Sequence, residues 1–259
     1  MIIHECTQGS PEWHQSRAGV ITASMFSEVR KRVGGLNEQQ QKYVDAIRDG
    51  KTDKEAAVIA GYRSPPRAAA VETALAGGNP GDYTDAAKNY AFRLAVERIS
   101  GEPLDEGFET WSMRRGRELE EDCRRLHEAE ICTFVDLAGF ITTDDMLFGC
   151  SADSLIGEDG GGEYKCFVDP TKLRSIVVDD DWSDIIDQAQ GCMWLAQRKW
   201  WDMCLYCPAL KNANKHFLRK RVYRDEEFIF ALEQDLVAFS RLVDECQQQL
   251  LKMPEAKAA

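Results

Sequence analysis

Asp153, Glu163 and Lys165 lie close together in the sequence, with the glycine-rich segment GEDGGG between the two acids. Glu163 and Lys165 are two residues apart, so on a β-strand their side chains point to the same face. A turn at the glycines can fold the preceding strand back and place Asp153 beside Glu163. Two carboxylates that converge in this way repel each other unless a cation lies between them or one is protonated. The spacing therefore predicts a cation site or a shared proton at this turn.

Oxygen ligands favour a hard cation, so the two acids predict a site for Mg²⁺, or for Mn²⁺ in its place. The backbone carbonyl of Tyr164 could supply a further oxygen. Lys165 could orient or activate a metal-bound water, or balance charge in a phosphorane-like transition state. The set suits phosphodiester hydrolysis. The same residues also fit a calcium-type structural turn, or a surface hairpin in which Lys165 merely pairs with Glu163.

Further polar residues that suit such a site lie on predicted helices. The segment SMRRGRELEEDC places Glu120 on a helix beside a basic cluster. This cluster consists of Arg114, Arg115 and Arg117. Gln188 and Gln190 lie on the helix that follows the hairpin. Their uncharged amides could hold an attacking water or a ligand carboxylate without changing the charge of the site.

The chain has 259 residues, of which 44% are hydrophobic and 29% charged, as in ordinary globular proteins. This length allows one large domain, or a domain with a small insertion. A net charge of −12 argues against a protein that coats nucleic acid non-specifically, but it allows an enzyme with a local basic lining. No apolar run approaches the length of a membrane helix, and the first residues lack a secretory pattern. Nine cysteines fit a reducing compartment, so we expect a cytoplasmic protein.

The hydrophobic pattern predicts a mixed α/β fold in which strands are framed by helices. Helix starts are predicted at Ser10-Pro11 and at Thr22 or Ser24. Three strands are predicted from residue 131 to residue 167, two more over WWDMCLYCPAL and KHFLRKRVYRD, and a closing helix over 225–252. Cys204 and Cys207 form a CxxC pair that has no second pair to complete a zinc site, which favours buried thiols.

Glycine-containing segments bound residues 34–80, which we interpret as an insertion with its own helical fold. A helix is predicted to end at Gly50, Thr52 to cap a second one, and Ser64-Pro65 to open a third. This is the helix-turn-helix pattern, and through EAAVIAGY the insert resembles the amino-terminal part of phage terminase small subunits. The insert either contacts DNA or is a small three-helix packing unit.

The sequence as a whole resembles the YqaJ-type viral recombinases, a family of the PD-(D/E)xK nuclease superfamily that includes the lambda exonuclease. The matching segments, in the family's order, are PEWHQSRAGVITAS, RGRELE, CSADSLIG, EYKC and DQAQGCMW. The resemblance implies an α/β nuclease core, with a mixed central sheet flanked by helices, formed by residues 1–33 and 81–259. Residues 34–80 would then be a small all-α helix-turn-helix unit inserted in it.

The resemblance also implies a Mg²⁺-dependent nuclease that degrades linear duplex DNA from a 5′ end and leaves a 3′ single strand. The residues that match the family's catalytic and metal-binding positions are Asp153, Glu163, the Tyr164 carbonyl, Lys165, Glu120 and Gln188. Among these, Lys165 corresponds to the lysine that positions the attacking water, and Glu120 to the helix-borne acid that completes the metal environment.

Arg17 and Ser24 match the family's pocket for the terminal 5′-phosphate, with Ser151 nearby. A guanidinium and two hydroxyls suit a phosphate dianion. Met113 lies where such enzymes place an apolar wedge at the duplex end, although a methionine there also suits the core. The basic cluster that follows it is expected to contact DNA. Family members form a toroidal homotrimer and act with a single-strand annealing protein, so both partners are implied, and no membrane is.

The chain departs from the family pattern at Ser151-Ala152-Asp153-Ser154, where the family usually has Ser-Pro-Asp-Gly, but the carboxylate is kept. A second basic cluster is either a track for phosphates or an edge strand protected by cations. Its residues are Lys211, Lys215, Arg219, Lys220, Arg221 and Arg224.

Two other functions compete with the 5′-to-3′ exonuclease. One is an endonuclease of the same superfamily that nicks branched or looped DNA. The other is a DNA-binding or packaging adaptor led by the helix-turn-helix unit, with a nuclease core that has lost its activity.

Overall fold

The computed structural model describes residues 1–78, 80–104, 111–166 and 169–252, apart from the side chains of residues 112 and 113. The chain divides into two compact units. The first combines Met1–Ser27 with Tyr90–Ala259, and the second is Glu28–Asn89. The predicted insert, residues 34–80, lies within the second unit.

Ten strands and ten α-helices are described. The strands are β1 (Ile2–His4), β2 (Ile21–Thr22), β3 (Arg32–Val33), β4 (Asp82–Tyr83), β5 (Phe140–Thr142), β6 (Phe148–Cys150), β7 (Ser154–Ile156), β8 (Gly160–Lys165), β9 (Trp200–Tyr206) and β10 (Phe217–Tyr223). The helices are α1 (Pro11–Arg17), α2 (Phe26–Arg30), α3 (Glu38–Arg48), α4 (Asp53–Ile59), α5 (Ala69–Leu75), α6 (Asp85–Ser100), α7 (Trp111–Ile131), α8 (Pro170–Val177), α9 (Ser183–Leu195) and α10 (Glu226–Lys252). Short 3₁₀ helices cover Ala23–Met25 and Pro208–Ala213.

The strands of the first unit form two four-stranded sheets, with the orders β1-β5-β6-β2 and β10-β9-β8-β7. In the second of these, β8 and β9 are parallel, whereas β7 and β10 join antiparallel. A parallel pair needs a crossover connection, and α8 and α9 provide it. The mixed α/β class is confirmed. Four strands, β5 to β8, lie where three were predicted, and α8 was not predicted at all.

Helices cover both faces of the sheet that contains β8. Leu119 and Cys123 of α7 pack against Tyr164 and Cys204. On the other face, α9 packs against β8 and β9, and its Gly191 leaves room for the ring of Phe26, which would lie 2.5 Å from an added Cβ. Neighbouring residues of β8 therefore face different helices, because strand side chains alternate.

The closing helix α10 buries one apolar stripe, at Ile229, Leu232, Leu236, Phe239 and Val243. These residues recur at helical spacing, which explains why this element was predictable. The predicted start of α1 is also confirmed, since Ser10 accepts a hydrogen bond from the Trp13 amide and Pro11 is the first helical residue. Within the described ranges, no helix is long and apolar enough to cross a membrane.

In the second unit, α3 and α4 both begin with a capping box, the latter at Thr52 as predicted. The predicted opening of a third helix at Ser64-Pro65 is wrong, because α5 begins only at Ala69 and has no side-chain cap. A second proline follows Pro65, and a residue that precedes proline is disfavoured in helical conformation. Tyr43, Val44, Ala56 and Val71 are buried in this unit's own core.

Candidate active site at the end of strand β8

The β7–β8 hairpin is tighter than the sequence predicted. Only residues 157–159 form the turn, and the three following glycines lie inside β8. Tryptophan rings of β9 cover the first two: an added Cβ would be 2.2 Å from Trp200 at Gly160 and 2.1 Å from Trp201 at Gly161. At Gly162 an added Cβ would lie 2.6 Å from Ser154 Oγ. The turn is therefore shorter than the segment GEDGGG, since Gly160, Gly161 and Gly162 belong to the strand and provide space for neighbouring side chains.

The hairpin brings the two predicted acids together. Ser154 pairs with Gly162, so Asp153 lies just beyond the end of the ladder, next to Tyr164. Its Oδ2 accepts a hydrogen bond from the Tyr164 backbone N–H at 2.6 Å. The Asp153 carboxylate thus accepts a hydrogen bond from β8 at a position beyond the end of its pairing with β7. This places it close to Glu163.

Lys165 connects the hairpin to α9. Its Nζ donates to Glu163 Oε1 at 2.6 Å and to Gln188 Oε1 at 3.0 Å. Glu163 is buried, with only 3% of its surface exposed, and Lys165 is half-buried. The structure therefore places Glu163, Lys165 and Gln188 in direct contact, with Asp153 adjacent.

The charge of Glu163 acts on two further acids, Asp153 and Glu120. Loss of hydration, followed by the charge of Glu163, raises the pKa of Asp153 well above its ordinary value, and Lys165 only partly opposes this. The pKa of Glu120 is also raised, by burial and then by Glu163. Burial would lower the pKa of Lys165, but Glu163 and Asp153 outweigh it and raise that pKa. Lys165 therefore stays protonated, and its positive charge is close to Glu163 and Asp153.

The donor atoms at this place suit a hard cation. In the described part of the chain, no group of three or more His, Cys, Asp or Glu side chains is arranged to hold a metal. However, Oε2 of Glu163 is buried and has no hydrogen-bond partner. An unpaired buried carboxylate oxygen is costly. Together with Asp153 and the Tyr164 carbonyl it forms an oxygen donor set of the kind that divalent cations prefer, so the residues fit such an ion.

A cavity of about 740 Å³ opens beside these acids. Asp153, Glu120 and Arg117 line it, together with residues of the first strand. Of the three arginines in the first basic cluster, Arg117 alone lines the cavity, whereas Arg115 pairs with Glu118 at 2.9 Å and Arg114 is exposed. The side chain of Met113 lies outside the described part of the structure.

Residues of the predicted phosphate pocket are linked through Trp13. The guanidinium of Arg17 lies 4.0 Å above the Trp13 ring, and the indole N–H donates to Ser151 Oγ at 2.8 Å. Ser24 is exposed, and its hydroxyl lies 3.3 Å from that of Thr22, which lines a small cavity together with Arg17. Arg17 is thus connected to Ser151 through Trp13. It also lines the small cavity with Thr22, whose hydroxyl lies beside that of Ser24.

Gln190 does not belong to the site, unlike Gln188. Its amide is buried, donates to the Tyr223 carbonyl at 2.9 Å and accepts from the Asp225 N–H at 3.1 Å. Gln190 therefore joins α9 to the segment between β10 and α10. The two glutamines face different directions because residues two apart on a helix lie far apart around its axis.

The second basic cluster is largely occupied by ion pairs. Arg219 and Arg221 both bind the buried Asp202, Lys220 pairs with Asp180 at 2.9 Å, and Arg224 pairs with Glu226. Strand β10 also lies at the edge of its sheet. These contacts favour the interpretation as a protected edge strand.

The sequence interpretation missed the polar residues beneath β8. Asp202 and His127 are both fully buried and hydrogen-bonded to each other. A signal was present, because Asp202 is the one charged residue within the apolar strand WWDMCLY. Cys204 and Cys207 are both buried, as predicted, and Cys204 lies in β9.

Comparison with known proteins gives matches in structure but not in sequence. No protein-family model matches the chain, and no curated protein matches it by sequence. An alkaline exonuclease (LHK-Exo) from Laribacter hongkongensis aligns with 94% of this chain and 97% of its own, at 23% identity and a TM-score of 0.64. The same exonuclease in complex with dAMP gives a TM-score of 0.65.

A phage-related exonuclease from Haemophilus somnus 129PT aligns with 89% of this chain and 96% of its own, at 14% identity and a TM-score of 0.54. The alignments span almost the whole of each neighbour. At these identities the likeness concerns the arrangement of the backbone. The chain described here therefore has the fold of the alkaline and phage-related exonuclease structures.

Proposed function

We propose that this protein is a metal-dependent exonuclease that degrades linear double-stranded DNA from the 5′ end and leaves 3′ single-stranded overhangs. The observation that carries the proposal is the contact of Lys165 with both Glu163 and Gln188, next to Asp153, in a fold shared with exonucleases. Converging acids, two of which line a large cavity, and a neighbouring lysine suit phosphodiester hydrolysis.

Mg²⁺, with Mn²⁺ as a substitute, is the cation we propose, held by Asp153, Glu163 and the Tyr164 carbonyl, with Glu120 completing its environment. Such a cation lowers the pKa of a bound water and offsets charge on the phosphate. Lys165, protonated and held by Gln188, orients the attacking water and stabilises negative charge on the phosphoryl oxygens. Glu163 keeps the ammonium of Lys165 in place.

The end of the DNA is proposed to bind at Arg17, Ser24 and Ser151. The guanidinium of Arg17 lies over the Trp13 ring, and its planar fork suits two-point binding of a phosphate. The basic cluster at the start of α7 would contact the adjacent backbone, with Met113 at the duplex end. These assignments come from the family resemblance together with the linkage of Arg17 to Ser151.

The biological setting follows the same resemblance. We propose a nuclease domain of residues 1–33 and 81–259 with an inserted helix-turn-helix-like unit at 34–80. We also propose a homotrimer that supplies single strands to an annealing protein in phage-type recombination. The nine free cysteines support a reducing compartment such as the host cytoplasm.

One assay tests the activity. Linear duplexes with 5′-phosphate ends, linear duplexes with 5′-hydroxyl ends and covalently closed circles are incubated with the protein in Mg²⁺ and in EDTA. We expect the linear substrates to be degraded only in Mg²⁺, and the 5′-phosphate duplex faster than the 5′-hydroxyl duplex. The product should be single strands that keep their original 3′ ends. The circles should stay intact.

Other outcomes would identify other functions. Cleavage of the closed circles would indicate an endonuclease. Tight duplex binding without cleavage in any metal, abolished by deletion of residues 36–78, would indicate a DNA-binding adaptor instead. Either result contradicts the exonuclease proposal.

A further inference from the structure

A chain of buried hydrogen bonds lies beneath the strand that carries the candidate site. The Tyr164 hydroxyl lies 3.1 Å from Nδ1 of His127, and Nε2 of His127 lies 3.0 Å from Oδ2 of Asp202. The side chains of His127 and Asp202 are completely buried. These groups come from α7, β8 and β9, so the chain joins the helix that carries Glu120 to the two parallel strands.

The chemistry of the groups fixes the direction of these bonds. A carboxylate only accepts hydrogen bonds, so Nε2 of His127 carries the hydrogen and donates to Asp202. In a neutral ring Nδ1 then accepts, and the Tyr164 hydroxyl donates to it. Every polar atom of the His127 ring is therefore used, and none is available to a substrate.

Asp202 is held from the other side by two arginines of β10. Arg221 binds it with two hydrogen bonds, of 2.7 and 2.8 Å, and stacks 3.6 Å above the Trp200 ring. Arg219 adds two contacts of 3.2 Å. Burial alone would raise the pKa of Asp202, but the hydrogen bonds from Arg221 and His127 lower it overall. The carboxylate therefore stays charged and fixed in position.

Tyr164 belongs both to this series of hydrogen bonds and to the candidate site. Its backbone lies between Glu163 and Lys165, and its N–H holds Asp153. On the same face, Gly162 lies beside the His127 ring, and an added Cβ would be in ordinary van der Waals contact with Cε1 at 3.5 Å. A shift of the Tyr164 ring would thus move the backbone that carries Glu163 and Lys165 on either side of it. It would also move the N–H that holds Asp153.

We infer that His127 and Asp202 are positioning residues that act through Tyr164 to hold Asp153, Glu163 and Lys165 in the geometry that cation binding requires. The inference rests on the proposed function. Groups behind a metal ligand commonly set its orientation, and their loss costs about tenfold or more in metal affinity or activity.

The test is Tyr164→Phe, which removes one hydroxyl and keeps the ring and the backbone. Binding of Mn²⁺ without DNA is measured by calorimetry, at a temperature at which circular dichroism shows the variant folded. We expect the half-saturating Mn²⁺ concentration to rise about tenfold. DNA cleavage should fall at low Mn²⁺ and recover when Mn²⁺ is raised.

The matched control is Tyr43→Phe, which removes a partly buried hydroxyl that donates to Asp53 in the second unit. It should leave Mn²⁺ binding unchanged even if it lowers the melting temperature. A second pair guards against misfolding: His127→Gln keeps one donor and one acceptor, whereas His127→Leu keeps neither. Glutamine should retain more Mn²⁺ affinity than leucine.

Unchanged Mn²⁺ affinity in folded Tyr164→Phe, or equal affinities in the two His127 variants, would overturn the inference. If the wild-type protein neither binds Mn²⁺ nor cuts DNA, the proposed function itself fails. The two failures are therefore distinguishable.

Discussion

The carboxylate of Asp153 occupies the position of a strand partner, accepting the Tyr164 N–H at 2.6 Å where the β7–β8 ladder ends. An edge amide of a sheet is normally bound by another strand or by water. Here it orients an acid toward Glu163 instead. This contact places the Asp153 carboxylate beside Glu163 and Lys165 at the end of the hairpin.

Stability without metal should depend on pH in an unusual direction. The pKa of Asp153 is raised on folding, so between the ordinary and the raised value the folded state binds more protons than the unfolded chain. The free energy of unfolding must then fall as pH rises through that range. We expect urea unfolding in EDTA to show lower stability at about pH 8 than at about pH 5, from this contribution.

Asp153→Asn should reduce that pH dependence, because the amide carries no charge and still accepts from Tyr164. It should also abolish cleavage. The exposed Asp49→Asn is the control, and it should preserve the wild-type dependence. An unchanged slope in Asp153→Asn would show that Asp153 has no raised pKa.

Lys165→Ala should lower DNA cleavage at least about 100-fold, the usual scale for a group that positions a proton or a water. Duplex binding, measured in Ca²⁺ by fluorescence anisotropy, should change little. Lys199→Ala removes a lysine from an exposed ion pair with Asp159, and should cleave normally. Retained cleavage in Lys165→Ala would remove the residue from the site.

The two glutamines of α9 should behave in opposite ways. Gln188→Ala removes one of the two acceptors that hold the Lys165 ammonium and should lower the cleavage rate about tenfold with little effect on stability. Gln190→Ala removes the side-chain partner of the Tyr223 carbonyl and of the Asp225 N–H, and should lower the free energy of unfolding by about 1–3 kcal/mol. Cleavage per folded molecule and chemical unfolding separate the two effects. The reverse result would exchange their roles.

Arg17 should determine the preference for phosphorylated ends. Arg17→Lys keeps the charge but loses the planar fork that lies over Trp13. We expect the ratio of cleavage rates on 5′-phosphate and 5′-hydroxyl duplexes to fall about tenfold, as loss of a charged hydrogen bond implies. An unchanged ratio would place the terminal phosphate elsewhere.

Gly161→Ala should destabilise the fold by about 1–3 kcal/mol, because the added methyl group would overlap the Trp201 ring. Gly116→Ala is the contrasting substitution: it lies in α7, and among the described residues an added Cβ would have the Cys166 carbonyl as its nearest neighbour, at 3.8 Å. That change should be neutral or stabilising by up to about 1 kcal/mol. Thermal unfolding of both variants gives the comparison, and equal destabilisation would argue against the overlap.

Local rules predicted the parts of the site that depend on neighbouring residues. Strand alternation places Glu163 and Lys165 on one face, and the hairpin places Asp153 beside them. The helix starts at Ser10 and Thr52 also follow from residue type.

Features that depend on distant partners were not predictable. The glycines before Glu163 have the sequence pattern of a turn. Their place in a strand depends on Trp200 and Trp201, which lie about forty residues later on the adjacent strand. The bond between His127 and Asp202 joins residues 75 positions apart, and no local pattern connects them. The role of Gln190 likewise needed the position of Tyr223.

The short ribbon of β3 and β4 has a consequence for the architecture of the chain. Arg32 lies opposite Tyr83 and Val33 opposite Asp82, and Thr84 donates to Glu28 at 2.7 Å just below them. The ribbon therefore closes everything between its strands at a narrow stem, much as a base-paired stem closes an RNA loop. Because this pairing holds the two ends of the intervening segment together, we expect a change in the length of that segment to leave the register of β3 and β4 unchanged.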